Sequence, residues 1–421
     1  MPRQGAIAER ALPSARKMAG RGLRFRHNVV KNESMAQPSP QKLKQAFTRG
    51  QERGRWLSSS GGGGASYQHD MARAIAKELG WTKEDVVRKI AAYHRERLDA
   101  VPDLRQYPEL DGERELLLEY YRGIKDAGLD DDSVALCESL GFWRDVRLFQ
   151  ETGRGMFVFP MPEKCRVLYV PRSDQGQLHA KNVDDPITYW KGEKPVPPGS
   201  PWPFSHPLVF DGVGSGLHLD EIPPEIFPVN PIELCREHCA TVKEATAFLV
   251  RYNYFWSGQN LLVHDHHGNS VAFEKTRCRV AIRGPNAQGI NFITGMGALD
   301  PGIRAFQNAQ RSKYLEQIGA GQDDVDACFW KLCQGQWDNM KRYVEELSKN
   351  PTAEGALALM AKRDPGGPMC LTGKKCHPDE KTPGYTLLMR MYFMDQKKMH
   401  RRLWRGKTPS YKDTPEIVQY S

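Results

Sequence analysis

The residue with the clearest chemical potential in this sequence is a cysteine that precedes an apolar run. Cys165 is followed by Arg166-Val167-Leu168-Tyr169-Val170, a β-branched and apolar segment typical of a strand. After turn residues at Ser173–Gly176, a second strand ends in Lys181-Asn182-Val183-Asp184. The two strands predict a hairpin, which would bring Asp184 back beside Cys165.

A thiol that attacks an amide needs a base, a group that orients the substrate, and donors for the oxyanion. The pKa of an ordinary thiol is about 8.5, so most of it is protonated at neutral pH. Cleavage of the peptide bond before Cys165 would leave an α-amine with a pKa near about 8 within reach of the sulfur. Nucleophile and base would then belong to one residue.

The pattern from Cys165 to Asp184 resembles that of the N-terminal-nucleophile (Ntn) hydrolases of the acyl-coenzyme A:isopenicillin N acyltransferase and choloylglycine hydrolase type. Three more segments are similar to the acyltransferase branch and follow the family's order. They are the helix Leu117–Leu129, the Thr-Val-x-Glu-Ala helix start within Cys239–Ala245, and the hairpin Asn260–Glu274. The resemblance covers roughly Ala46 to Ser421.

The resemblance implies an α+β fold, the Ntn-hydrolase αββα sandwich of two mainly antiparallel sheets between helical layers, preceded by a helical N-terminal segment. It also implies self-cleavage at Lys164-Cys165 and a thioester on Cys165 during turnover. The activity would be that of an amidohydrolase or acyltransferase acting on a linear amide C–N bond. The sequence leaves open whether water or an amine accepts the acyl group.

The site residues follow from the same resemblance. Cys165 would be the nucleophile, Asn182 and Asp184 match site positions, and Asp184 would orient the amine or bind substrate. Lys181 stands where bile-acid hydrolases carry Arg. Lys181 and Arg166 are the candidate substrate-binding residues, since cations favour the thiolate and attract a carboxylate or a phosphate-rich carrier.

The sequence departs from the family pattern on both sides of the cysteine and at the oxyanion donor. Lys164 and Arg166 stand where the family has Gly and Thr or Ser, and Thr294-Gly295 lacks the family's Asn. Asn291 and Asn260 are the candidate replacements as oxyanion donors. The departures favour a second hypothesis, a catalytically silent, unprocessed member that binds a small molecule or a protein.

Composition divides the chain into three parts. The 421 residues are 39% hydrophobic with a net charge of +9, and the basic excess lies largely in residues 1–50. That segment is predicted to be a disordered tail; a transit-like peptide, a binding arm or a mis-called start before Met35 are the alternatives. Residues 51–164 are predicted to be helical and residues 165–421 to form the core, with the Gly-rich run Ser58–Gly64 as a connector.

Several classes of partner are disfavoured by the sequence. Apart from the tail the charge is modest, so no nucleic acid is expected, and no apolar run predicts a membrane span. The nine scattered cysteines suggest a reducing compartment, hence a cytoplasmic location. No metal or cofactor is expected, because His264-Asp265-His266-His267 precedes a glycine between two strands and indicates a turn. The expected partner is a small-molecule amide or acyl-thioester substrate, with self-association left open.

Local signals predict further elements. Thr82 and Thr241 each precede an acidic residue by three positions, which predicts helix starts. Other helices are predicted at Glu113–Ala127, Gly302–Ile318, Asp324–Leu332 and Asn339–Leu347, and strands at Asn260–His264, Ser270–Glu274, Cys278–Ile282, Tyr385–Met394 and His400–Trp404.

Overall fold

The protein is described here by a computed structural model that covers residues 37–59, 64–148, 165–186, 195–197, 199–214, 227–253, 259–275, 279–295, 301–303, 305, 331–364, 366–374, 384–405 and 408–421. Over these residues it is an α+β protein with two antiparallel sheets. Most of the predicted tail and most of the helices predicted at 302–318 and 324–332 lie outside the described residues.

Five helices precede the predicted nucleophile: α1 (Pro40–Ser59), α2 (Ala65–Leu79), α3 (Lys83–Asp99), α4 (Glu113–Asp126) and α5 (Asp131–Trp143). The predicted start at Thr82 is confirmed, since its hydroxyl accepts the Asp85 N–H at 3.1 Å. The predicted end near Gly128 is also found, with a φ of 98° at that glycine. α1 crosses the predicted boundary at residue 50.

α1 and α4 pack with almost no side chain between their backbones. A Cβ at Gly50 would lie 2.0 Å from the Tyr120 carbonyl oxygen, and one at Gly123 would lie 2.1 Å from the Phe47 oxygen. Only glycine allows this approach, so the helix that resembles the family's pre-nucleophile segment is fixed against α1.

The large sheet contains the predicted hairpin at its centre. Its strand order is β11-β10-β9-β2-β1-β7, with β8 also pairing with β9. The strands are β1 (Arg166–Ser173), β2 (Gly176–Pro186), β7 (Asn291–Ile293), β8 (Thr372–Lys374), β9 (Gly384–Phe393), β10 (Lys398–Leu403) and β11 (Glu416–Gln419). The predicted pairs β1–β2 and β9–β10 are confirmed as antiparallel neighbours.

The small sheet has the order β3-β4-β5-β6, formed by β3 (Leu208–Gly214), β4 (Gln259–Asp265), β5 (Ser270–Lys275) and β6 (Val280–Arg283). The predicted turn between β4 and β5 is confirmed: the Asp265 carboxylate accepts the N–H groups of His267 and Asn269, and Gly268 has a φ of 89°.

The two sheets pack face to face, and helices cover their outer faces. Val167 and Tyr169 of the large sheet contact Leu262 and Ala272 of the small sheet. The other face of the large sheet packs on α8 (Lys331–Leu347) and α9 (Ala353–Met360), and that of the small sheet on α6 (Pro231–His238) and α7 (Val242–Arg251). The two sheet faces that contact each other are called the inner faces. No described helix is long and apolar enough to cross a membrane.

Candidate functional site

The thiol of Cys165 lies at the beginning of β1 on the inner face of the large sheet. Cys165 packs with Val167 and Tyr169 of its own strand and with Val213 of the small sheet. Side chains of a strand alternate between its two faces, so Arg166 points the other way. The thiol is 8% exposed. It is therefore directed into the seam between the sheets, close to its edge.

Asp184 forms an ion pair with Arg166. The Arg166 Nη2 lies 2.5 Å from the Asp184 Oδ2, and both side chains are fully buried. The Thr386 hydroxyl donates to the other carboxylate oxygen at 2.5 Å. Because Arg166 lies opposite Asn182 in the β1–β2 register, Asp184 is close to Cys165 along the hairpin. Its carboxylate, however, meets Arg166 on the face away from the seam.

Asn182 is held by backbone carbonyl groups. Its Nδ2 donates to the oxygens of Met360 and Met369, at 2.8 and 2.7 Å, and the side chain is buried. Both amide hydrogens are thereby used to connect β2 with the end of α9 and the following loop. In this arrangement Asn182 fixes the strand rather than facing a substrate.

Lys181 faces the seam and is held by the small sheet. It lies opposite Val167, one same-face position from Cys165. Its ammonium group donates to the Asp211 Oδ1 at 2.5 Å and to the Gly212 oxygen at 3.2 Å. Lys181 and Asp211 are both partly exposed. They therefore mark a place where the seam reaches solvent near the thiol.

A histidine chain continues inward from Asp211. The second carboxylate oxygen meets His179 Nε2 at 2.9 Å, and His179 Nδ1 meets His264 Nε2 at 3.0 Å. The His264 ring stacks on Tyr169, with centroids 4.0 Å apart. Burial lowers the pKa of His264 well below its usual value, so this imidazole is neutral. His179 donates to the Asp211 carboxylate, and a second hydrogen bond joins the two imidazole rings.

Asp211 is the negatively charged member of this row of hydrogen-bonded side chains. Burial alone would raise its pKa, but the hydrogen bond from His179 and the charge of Lys181 outweigh burial and lower it. The carboxylate is therefore ionised at neutral pH. It compensates the charge of Lys181 at the edge of the seam.

The sequence analysis missed Asp211, His179 and Arg390. Arg390 lies directly opposite Lys181 on β9 and so shares its inner face. Alternation along β2 from Lys181 would have identified His179 as an inner-face residue. Asp211 comes from the other sheet, and no local signal predicted the contact.

The two candidate oxyanion donors occupy different places. Asn260 Nδ2 donates to the Thr294 oxygen at 2.5 Å, one residue beyond Ile293, which pairs with Val167 near the thiol. Asn291 lies opposite Tyr169 and donates to the Ser270 hydroxyl at 3.2 Å. Four strand residues separate its register position from Cys165, a distance of about 13 Å. Asn260 is thus the better placed of the two.

Four of the five other described thiols are held in their protonated form by burial. Burial raises the pKa of Cys137 to about 11, and burial also raises the pKa of Cys235, Cys239 and Cys370. Such thiols are protonated at neutral pH and react slowly. Among the described residues, no three His, Cys, Asp or Glu side chains are arranged to hold a metal ion.

Comparison with known proteins gave only distant structural likenesses. No family profile matches the sequence, and no curated protein matches it. Penicillin V acylase from Agrobacterium tumefaciens is similar over 60% of this chain and 84% of its own, with 13% identity and a TM-score of 0.35. A mutant conjugated bile acid hydrolase from Clostridium perfringens is similar over 61% and 97%, with 11% identity and a TM-score of 0.36. At these scores the likeness establishes neither fold nor function for this chain.

Proposed function

We propose that the protein is an Ntn cysteine amidohydrolase or acyltransferase that acts on a linear amide C–N bond through Cys165. The observation that carries the proposal is the position of the thiol. It lies at the start of β1, between β2 and the edge strand β7, and faces the seam between two stacked sheets, near Lys181. We take this layered arrangement to be the αββα sandwich that the sequence resemblance implies. The core is then residues 165–421, preceded by the helical segment 51–164 and the basic tail 1–50.

The proposed chemistry begins with the chain itself. The Cys165 sulfur attacks the carbonyl carbon of Lys164, and the acyl group moves from nitrogen to sulfur. Water then hydrolyses this thioester and leaves Cys165 with a free α-amine. That amine, with a pKa of about 8, takes the thiol proton in later turnovers. Lys164 lies outside the described residues, so the scissile bond itself is not described here.

The remaining roles are assigned from the contacts. Lys181 provides positive charge on the inner face near Cys165 and would bind an anionic group of the substrate, and Arg390 extends this charge on the side of Lys181 away from β1. Arg166 is buried with Asp184 on the other face, so the proposal for substrate binding rests on Lys181. Asp184 would orient the α-amine indirectly. Its ion pair with Arg166 fixes the start of β1, and Cys165 directly precedes Arg166. Asn260 is the proposed oxyanion donor.

Intact-mass analysis of the purified chain tests the proposal. Wild-type protein should give two fragments, the heavier beginning at Cys165, whereas Cys165→Ala should remain whole. Cys370→Ala is the matched control, because it removes another buried thiol, one that packs against the outer face of the same sheet, and this variant should still be cut. A single uncut wild-type chain would reject the processing step.

A catalytically silent binding module is the second candidate, favoured by two observations. The Asp184 carboxylate is engaged by Arg166 and Thr386, and the sequence has no Asn at Thr294-Gly295. Losing one side-chain oxyanion donor costs about 3 kcal/mol of transition-state stabilisation in well-studied hydrolases. An uncut chain that still binds N-acyl amino acids or acyl thioesters, without hydrolysing them, would support this reading.

A further inference from the structure

The contact between Asp211 and Lys181 joins the two sheets next to the proposed nucleophile. Asp211 belongs to β3, and Lys181 to β2. The ammonium group also donates to Gly212, whose neighbour Val213 packs in the same cluster as Cys165. The cation of the large sheet is thus fixed by the small sheet at a point close to the thiol.

The position of Asp211 is itself fixed from the interior. Its Oδ2 accepts from His179, whose ring is hydrogen-bonded in turn to His264. Both imidazoles are fully buried, and His264 is stacked on Tyr169. A carboxylate anchored by this chain cannot easily follow Lys181 if that flexible side chain moves. Asp211 is therefore the fixed group, and it determines the position of the Lys181 ammonium group.

We propose that Asp211 is a positioning residue that holds and partly neutralises the Lys181 ammonium group, and thereby sets the reactivity of Cys165. The inference rests on the proposed function, since it assigns a regulator to the same nucleophile. Lys181 alone would favour the thiolate, and Asp211 moderates that effect. Among the described residues of the paired strands around Lys181 and the thiol, the other charged or titratable groups are His179, Arg390, Glu274 and the Arg166–Asp184 pair.

The test is the rate at which iodoacetamide labels Cys165 as a function of pH, followed by peptide mass spectrometry. In Asp211→Asn, Cys165 should be labelled about tenfold faster at pH 7, since one anion is lost near the thiol. The pH midpoint of the labelling rate should shift about one unit lower. Lys181→Met should shift it the opposite way. The double variant should return close to the wild-type profile, because the pair is removed as a unit.

Two controls keep the test decisive. Asp413→Asn removes a carboxylate that pairs with Arg405 away from the seam, and it should leave the profile unchanged. Cys235 and Cys370 should stay slow in every variant, which shows that the fold is retained. If Asp211→Asn unfolds the protein, Lys181→Met decides, because the partly exposed Lys181 side chain can be replaced without opening the core.

The outcomes separate this inference from the proposed function. An unchanged pH midpoint in Asp211→Asn would overturn the role of Asp211, even if the chain is cut at Cys165. If Asp211→Asn does not fold, an unchanged midpoint in Lys181→Met would overturn it instead. Shifted midpoints in a chain that is never cut would support the role of Asp211 and count against processing.

Discussion

The guanidinium group of Arg166 and the carboxylate of Asp184 depend on each other for a buried counter-charge. Asp184→Asn would leave Arg166 charged in the interior, so we expect the free energy of unfolding to fall by about 3–5 kcal/mol. Urea denaturation followed by circular dichroism would measure the loss.

Two comparisons make this prediction specific. Asp364→Asn removes the partner of a largely exposed arginine, Arg342, and should change stability by no more than about 1 kcal/mol. Arg166→Met combined with Asp184→Leu leaves no buried charge and should recover most of the stability. If Asp184→Asn costs no more than the surface control, the pair does not hold the end of β1.

The packing of α3 against α5 and α4 makes the helical segment sensitive to acid. His94 is buried in α3, its Nδ1 lies 2.8 Å from the Ser139 hydroxyl of α5, and its ring packs edge-on against Tyr121 of α4. Burial, aided by Arg97 and Arg95, lowers the pKa of His94 to about 4. In the unfolded chain the pKa is about 6.5, so protons bind preferentially to the unfolded state.

Stability from His94 should therefore be complete above pH 6.5 and be lost as the pH falls toward about 4. The linked loss is at most about 3 kcal/mol. Unfolding free energies measured across this range should show a shallower pH dependence in His94→Gln than in wild type. His267→Gln changes an exposed turn histidine and should keep the wild-type slope. Equal slopes in all three proteins would contradict the role of His94.

At the scale of elements, the sequence predicted the hairpin because its signals are local. Apolar alternation and the turn at Ser173–Gly176 set the β1–β2 register, which brings Asp184 close to Cys165 along the chain. The face of each side chain was not predicted. A register irregularity between Val183 and Asp184 and the contact with Arg166 set the direction of the carboxylate. Asp211 was missed because its contact with Lys181 joins two sheets.

For the whole molecule, the helical segment is attached to the core by a compact contact. Glu109 accepts from the Tyr252 hydroxyl at 2.7 Å and from Arg251, and Leu110 is buried among α6 and α7 side chains. After cleavage before Cys165, the two fragments should therefore stay together under native conditions. Native mass spectrometry should give one species, where a denaturing gel gives two.

Leu110→Ala tests this attachment, since emptying that site costs about 2–5 kcal/mol. The processed variant should lose its helical fragment on dilution, whereas Val101→Ala, at an exposed position nearby, should not. Fragments that separate freely in the wild type would show that the contact does not hold them.

The position of β1 in the large sheet also affects the order of events during folding. β2 follows β1 directly, so the hairpin can form early, but β7 pairs with β1 only after the small sheet has been synthesised. Such a long-range closure is slow, and the pairing of β9 with β2, which brings Thr386 to Asp184, comes later still. Self-cleavage would then report the completion of folding, because it starts only when the strands of the large sheet have paired. A chain that stops before Asn291 should stay uncut however long it is incubated.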